Sequence, residues 1–404
     1  MRILFINQFF WPDAAATSQL LTDLTRVLAA EGHEVSVICS NSTYAIGSVK
    51  EEAPPVTVHR IPAMAFSRGK FARPFSYLSF LIGALWRGYR IRDVDMVVTM
   101  TTPPMLFVIG AILQRLRGAR HFIWAMDLFP EAFVDVGVFK PKSLLVRLLH
   151  GIADRAYAHA DGVVAIGECM RRRLRGRKIP EDKLHVAENW ADGRSIFPIP
   201  HHRSDPLVLL YSGNFGLSHD IETLLFAMES LKDDERFEFR FVGSGVGQAQ
   251  IKEVCRKKGL RNVTFLPYCS RAKLAESLSE ADIGLVTQRA PCIGSVVPSK
   301  VYGLMAAGRP ILYIGPNATT PSEIVQRFQC GWQVECGDGG GLVTLLEGLY
   351  SANDLIPSAG ARAREAFLAH YDLPLATSRL CSLLGVDIEG VGRMRWPEQS
   401  SKTA

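Results

Sequence analysis

The chain has 404 residues, 48% of them hydrophobic and 21% charged, with a formal net charge of +6. That composition describes an ordinary globular chain long enough for two or three domains, and it excludes collagen-like and disordered classes. The 8 cysteines contain no C-x-x-C pair, and the closest two, Cys330 and Cys336, fit no zinc template. No metal ligands are expected.

The opening Met-Arg-Ile-Leu-Phe-Ile reads as a strand start rather than a signal peptide. The longest apolar run, near 78–86, is far short of the ~20 residues that span a bilayer. A cytoplasmic chain with reduced thiols is the expectation.

Along the first half, a β-rich run at 3–8 is followed by an amphipathic stretch at 18–30 and a second strand at 34–39. Further strands are predicted at 96–100, 121–126, 162–166 and 185–187. This alternation predicts a parallel sheet with helices on both faces. Residues 191–206, with Pro198, Pro200 and Pro206, read as a linker. A second series of strands is predicted at 207–211, 238–242, 263–266, 283–286, 311–314 and 331–334. The expected organisation is a first domain over 1–192 and a second over 207–374. A last helix at 375–388 possesses the option of crossing back to the first domain, and 389–404 is expected to be a mobile tail.

Between Ala53 and Arg92 there is no acid, while Arg60, Arg68, Lys70, Arg73, Arg87, Arg90 and Arg92 alternate with aromatic residues including Trp86. Arg68, Lys70, Arg73 and Trp86 are the candidates for an in-plane contact with an anionic membrane surface. A core helix with solvated arginines is the plainer alternative. A nucleic-acid patch is disfavoured because no recognition motif accompanies the charge. A second basic run occupies 171–178.

Asp127-Leu-Phe-Pro-Glu131 follows a predicted strand, so Asp127 either faces a cleft or caps a turn, and Glu131 reads as a surface or capping carboxylate. Asn189, in Glu188-Asn189-Trp190, either ties the hinge, faces a ligand or simply forms a turn. In the second half, Tyr211-Ser-Gly213-Asn-Phe-Gly216 and Val242-Gly243-Ser-Gly245-Val-Gly247 each follow a strand and precede a helix. Small residues there let a diphosphate approach the main chain. Pro298-Ser299-Lys300 starts a helix that Gly308 and Pro310 stop. A lysine in a first helical turn is unfavourable for stability unless an anion sits there, so Lys300 either meets a diphosphate or points to water.

This layout resembles the GT-B glycosyltransferases, and most closely the retaining family-4 branch that builds bacterial surface polysaccharides of the colanic-acid and O-antigen type. The resemblance rests on Asp127-Leu-Phe-Pro-Glu131, Asn189-Trp190, Tyr211-Ser-Gly-Asn-Phe-Gly216 and Val297-Pro-Ser-Lys300 with Met305-Ala-Ala-Gly308. It implies an α/β fold of two doubly wound Rossmann-like domains facing a central cleft. It implies a hexosyl- or N-acetylhexosaminyl-type transferase taking a nucleotide-sugar, with a UDP-sugar the expected donor and no cofactor required. By the same resemblance, Ser299 and Lys300 meet the diphosphate, with Arg289, Gly243 and Gly245 on the donor side. Gly294, Ser295, Val296 and Val297 present main chain to the donor, and Gly213 and Asn214 close over it. Asp127 and Lys300 are the candidate catalytic pair, with Asp127 and Asn189 on the acceptor side. The implied partners are a polyprenyl-diphosphate-linked glycan acceptor and an anionic membrane at the inner face of the plasma membrane, with no nucleic acid. Ser295 and Gly303 stand where the family carries a pair of glutamates, and Asn214 and His219 where it carries Arg and Lys. A nucleotide-sugar 2-epimerase, or a non-catalytic sugar-nucleotide-binding partner, are the alternatives.

Overall fold

The computed structural model describes residues 1–41, 52–62, 72–177, 179–200, 205–352 and 354–388. The first half runs β1 (Arg2–Ile6), α1 (Ala16–Ala30), β2 (Glu34–Ser40), β3 (Thr57–Ile61), α2 (Ala72–Arg90), β4 (Met96–Thr99) and α3 (Phe107–Arg117). It continues through β5 (Arg120–Ala125), α4 (Glu131–Asp135), α5 (Leu144–His159), β6 (Gly162–Ala165), α6 (Glu168–Arg175) and β7 (Leu184–Val186). These strands form one sheet in the order β3-β2-β1-β4-β5-β6-β7, with every pairing parallel. Strands covered on both faces need apolar residues throughout, and β4 and β6 are buried at every position. β3 was not foreseen. Its Thr-Val-His-Arg-Ile sequence is half polar because it is an edge strand, with only Ile61 buried.

On one face of this sheet α2 packs against α3 and α3 against α5. There Phe80, Ala84, Ile109 and Leu113 cover Leu4, Ile6, Ile38 and Val97. The alternate residues Ile3, Phe5 and Val37 meet Leu21, Leu24 and Leu28 of α1 on the other face.

The second half runs β8 (Leu207–Asn214), α7 (Glu222–Ser230), β9 (Phe237–Ser244), α8 (Val246–Lys258), β10 (Val263–Leu266), α9 (Leu274–Ser279) and β11 (Ile283–Thr287). It continues through α10 (Lys300–Ala306), β12 (Ile311–Ile314), α11 (Thr320–Phe328), β13 (Gly331–Val334), α12 (Gly339–Ser351), α13 (Leu355–His370) and α14 (Leu373–Leu384). Its parallel sheet has the order β10-β9-β8-β11-β12-β13. In both sheets the order reverses beside the first strand, the switch point where open α/β sheets bind ligands.

α14 begins two residues earlier than the sequence suggests, because Asp372 caps it by accepting from Leu373 N at 2.9 Å, with Pro374 in the first turn. It lies in the first sheet's core, where Leu373, Leu380 and Leu384 are buried; each contributes about 1.5–3 kcal/mol. The chain therefore crosses between the sheets twice. The two crossings touch, since Leu373 N donates to Ala191 O at 3.0 Å and Gly193 N to Asp372 Oδ1 at 2.9 Å. The single linker read at 191–206 is one half of a paired hinge, and residues 201–204 and 389–404 lie outside the described residues.

Candidate active site

The glycines after β8 and β9 are dictated by close packing. Gly213, Gly243 and Gly245 have φ of 122°, 129° and 136°, which L side chains rarely adopt. A Cβ on Gly243 would meet Gly213 O at 2.3 Å, and one on Gly245 would meet Phe215 O at 2.3 Å. Both expected turns are strand ends, because β8 and β9 stay paired through Gly213 and Gly243 to Asn214 and Ser244. A Cβ on Gly213 would meet Lys300 Cε at 2.8 Å, so the missing side chain there makes room for the lysine.

Lys300 opens α10, with Ser299 at the cap position. α10 has only 7 residues, so the charge at this point belongs mainly to the side chain rather than to a helix dipole. Nζ stands 5.1 Å from the Tyr211 ring centroid. Among the described residues no carboxylate pairs with it. Burial pushes its ammonium down to a pKa of about 8. His219 is held by Thr287 O at 2.9 Å and Tyr211 Oη at 3.1 Å. Burial first, and the Lys300 charge second, push its imidazole down to about 3, so it adds no cation. The Arg289 guanidinium donates to Leu217 O at 3.3 Å and its main-chain N–H to Ser218 O at 2.9 Å.

Asp127 ends the strand segment after β5 and bridges to Val296 of the second half. Its main-chain N–H donates to Thr101 Oγ1 at 3.0 Å. Its carboxylate has no partner among the described residues, and burial pushes it up to about 6. The 294–297 segment is held from the first half. Leu128 N donates to Ser295 O at 2.8 Å, Arg173 donates to Ile293 O at 2.7 Å and Ser295 Oγ donates to Asp135. Gly294, at φ 71°, lies against α6, where a Cβ would meet Cys169 O at 2.4 Å. Val297 packs into the first half's core. Within the second half, Gln288 Nε2 donates to Cys292 O and Val296 O at 2.9 Å each. Asn189 is buried beside the crossing between the sheets, and its Oδ1 has no partner among the described residues.

Beside Lys300 a cavity of about 210 Å³ opens between α1 and α10, reached by Asp23, Ser212, Arg271, Ser299 and Gly303. Asp23 of α1 accepts from Trp190 Nε1 at 3.3 Å and from Arg271 at 3.2 Å across the cleft. Burial raises the Asp23 carboxyl despite the opposing pull of Arg271. Sequence reasoning missed Asp23, Arg271, Asp135 and Arg173. For Asp23 a signal existed: a lone carboxylate inside the apolar run Leu20-Leu-Thr-Asp-Leu24.

Two readings are corrected. Glu131 is neither exposed nor a cap; it is buried and pairs with Arg177. The 171–178 run is not a free basic patch. Arg171 pairs with Glu181, Arg172 with Glu323 at 2.9 Å, Arg173 with Asp135 at 2.9 Å, and Arg177 with Asp154 at 3.0 Å. Lys178 lies outside the described residues, as do Arg68 and Lys70, and of Arg73 only the main chain is described. Trp86 is 56% exposed. Among the described residues no group of three His, Cys, Asp or Glu gathers as a metal site, and no helix is long and apolar enough to cross a membrane.

Two parallel, doubly wound sheets meeting across a cleft, with glycine strand ends and a lysine on one side, define the GT-B glycosyltransferase class. Residues 17–190 match the family described as Glycosyl transferase 4-like domain, and 193–365 match Glycosyl transferases group 1. The chain belongs to the GT-B glycosyltransferases of the family-4 type. It is 29% identical over 295 residues to a protein named as the glycosyltransferase WbjE of Pseudomonas aeruginosa, covering 70% of this chain and 72% of that one. It is 25% identical over 396 residues to one named as a colanic acid biosynthesis glycosyl transferase, WcaI, of Escherichia coli K12, covering 90% and 95%. In fold it resembles the sucrose-phosphate synthase of Thermosynechococcus elongatus, with TM-score 0.77 and 15% identity over 95% of this chain and 98% of that one. It also resembles Anabaena HepE in complex with UDP-glucose, with TM-score 0.70 and 15% identity over 95% and 99%. Matches to glycosyl transferase domains along both halves do not favour the epimerase alternative.

Proposed function

We propose that this enzyme transfers a sugar, with retention, from a nucleotide-diphosphate sugar to a polyprenyl-diphosphate-linked glycan during surface-polysaccharide synthesis. The second domain, 207–374, holds the donor, with UDP as its nucleotide, and the first, 1–192, holds the acceptor. Residues 375–388 return to the first domain. The observation that carries this reading is Lys300, a half-buried cation with no carboxylate partner among the described residues, laid over Gly213. UDP-glucose bound to HepE and the colanic acid naming of WcaI support the donor class and the pathway class.

The C1–oxygen bond to the diphosphate breaks and its electron pair leaves with the phosphate. The acceptor oxygen bonds to C1 on the same face and its proton passes to the departing phosphate oxygen. Charge grows on the diphosphate as it leaves, so a preplaced cation favours the transition state over the ground state. Lys300 and the small main-chain turns at Gly213, Gly243 and Gly245 serve that step, with Ser299 beside them. Asp127 orients the sugar or acceptor from the first domain, and Asn189 serves the acceptor side at the hinge. Closure of the cleft excludes water. The acceptor's lipid places the enzyme peripherally on the inner face of the plasma membrane, with Trp86 toward the anionic leaflet.

A screen of nucleotide-sugars with lipid-linked acceptor extract, read by released nucleotide and by anomeric configuration of the product, tests this. Acceptor-dependent release of UDP with retained configuration is expected. Binding of UDP-sugars without turnover on any acceptor would leave the site as a non-catalytic binder.

A further inference from the structure

One helical glycine has no packing reason. Gly303 lies inside α10, and a Cβ there would meet only Leu278 Cδ1, at an ordinary 3.8 Å. Its φ is not left-handed, unlike those at 213, 243 and 245. Glycine weakens a helix relative to alanine, so stability does not account for it. What the missing side chain leaves open is the cavity of about 210 Å³ beside Lys300. Leu274, Leu278 and Leu304 wall that cavity, and its polar groups come from both domains.

Two carboxylates line it, Asp23 and Asp192. Ionised, each offers about four acceptor positions. Asp192 has filled its set. Its Oδ1 accepts from the Arg194 main-chain N–H at 3.1 Å and from Arg194 Nε at 2.9 Å. Its Oδ2 accepts from the end of the same guanidinium at 3.0 Å and from Ser195 Oγ at 3.1 Å. Asp23 has not filled its own. Oδ2 accepts from Trp190 Nε1 at 3.3 Å and Oδ1 from Arg271 at 3.2 Å, which leaves about half of its acceptor positions open. Asp23 shares a face of α1 with Ala16, Gln19 and Leu20, which line the same cavity. Both of its donors are fixed. Trp190 stacks on Trp124 with ring centroids 5.6 Å apart, and Arg271 stands in the turn that leads into α9. A carboxylate only 6% exposed, held from two sides with lone pairs to spare, is set to receive further donors.

The occupant of this cavity joins the diphosphate at Lys300 and presents hydroxyl donors to Asp23. Of the two ends of a nucleotide-diphosphate sugar, the sugar has to meet Asp127 and the acceptor. Among the described residues neither Asp127 nor 294–297 reaches the cavity. The nucleoside end is left, and the part of it next to the diphosphate is the ribose, whose vicinal hydroxyls suit a carboxylate acceptor. We propose that Asp23, from the first domain, binds the donor's ribose hydroxyls across the cleft, in the space that Gly303 leaves, with Arg271 and Trp190 as positioning residues for its carboxylate. The donor is then read by both domains, and ribose occupancy is tied to the closed cleft. This deepens, and rests on, the reading that the second domain holds a nucleotide-diphosphate sugar.

Calorimetry on the full chain compares UDP with 2′-deoxy-UDP. The wild type is expected to prefer UDP by about tenfold or more, the effect of one charge-assisted hydrogen bond. Asp23→Ala should bring the two affinities together, with thermal melting to check that the fold persists. Asp23→Asn keeps the shape and one acceptor oxygen, and should lower the preference part of the way. Adding Gly303→Glu to Asp23→Ala should restore the preference, because the cavity has room for a carboxylate carried by α10. A purely structural role for Asp23 would not be rescued from that position. Equal binding of the two nucleotides by the wild type overturns the inference and leaves the donor reading standing. A folded Asp23→Ala or Asp23→Asn protein with the wild-type preference does the same. An Asp23→Ala protein changed only in its KM for the acceptor gives the cavity to the acceptor and also overturns it. A wild type that binds neither of these nucleotides, nor GDP, retires the donor reading and this inference with it.

Discussion

Arg173 donates to the main-chain carbonyl of Ile293 at 2.7 Å, and this bond crosses the cleft from α6 to the loop after β11. The same guanidinium holds Asp135 at 2.9 Å, and Asp135 accepts from Ser295 Oγ in that loop. An open cleft cannot make these bonds. The loop between β11 and Lys300 is therefore held from both halves, by these bonds across the cleft and by Gln288 within the second half.

Arg173→Ala is expected to lower kcat while leaving each sheet folded. A hydrogen bond to a charged group contributes about 1.5–3 kcal/mol, so the loss is roughly tenfold or more. Steady-state kinetics with a thermal melt check it. A lower melting point with wild-type kcat would reduce Arg173 to a structural tie.

Lys300→Met is expected to abolish donor binding and yet stabilise the free protein. The ammonium's pKa is about 8 in the folded chain, below the ordinary ~10.4 of lysine. A lowered lysine pKa means the folded state disfavours the charge. That cost is fully present below pH 8 and is relieved as pH rises from 8 towards 10. At pH 7 the substitution should add about 1–3 kcal/mol of stability, discounted for partial exposure. UDP binding by calorimetry should weaken in the wild type as pH passes 8. Equal UDP affinity in the variant would remove Lys300 from the diphosphate.

Most strands were legible in the sequence because apolar β-rich runs arise locally; the half-polar edge strand β3 was not, and the glycines at 213 and 243 read as turns because only pairing with a neighbour shows the strands running on through them. Apolar β-rich runs mark buried strands, and only glycine suits the φ values at 213, 243 and 245. What failed was partnership at a distance. Arg171–Arg177 looks like a free basic run until Glu131, Asp135 and Glu323 come to it from elsewhere in the fold. Asp23 and Arg271 meet only because the cleft brings α1 onto the second domain.

Arg177→Met is expected to destabilise the first domain by about 3–5 kcal/mol, because it strands the buried Glu131 carboxylate. The double variant Arg177→Met/Glu131→Leu should recover much of that loss, since apolar replacement of a buried pair is often neutral. Urea unfolding measures both. A double variant as unstable as the single one would mean that Arg177 acts through Asp154 and Phe129 O rather than through Glu131.

Asp127→Asn separates the functional role of this carboxyl from its effect on stability. Its pKa is pushed up to about 6 by burial, against an ordinary value near ~3.9. The folded state thus binds this proton more tightly than the unfolded chain. The resulting cost to stability is fully present above pH 6, shrinks as pH falls from 6 to 4, and is absent below. Asn carries no such charge, so the variant should be more stable than wild type by about 1–3 kcal/mol above pH 6, with the difference vanishing near pH 4. Activity should move the other way. If the carboxylate orients the reacting sugar or acceptor, wild-type kcat falls as pH drops through about 6, and the variant has a low kcat without that limb. Melting and kcat are measured across the same pH series. A variant that melts lower at every pH and keeps wild-type kcat would mark Asp127 as a turn cap, its carboxylate serving stability alone.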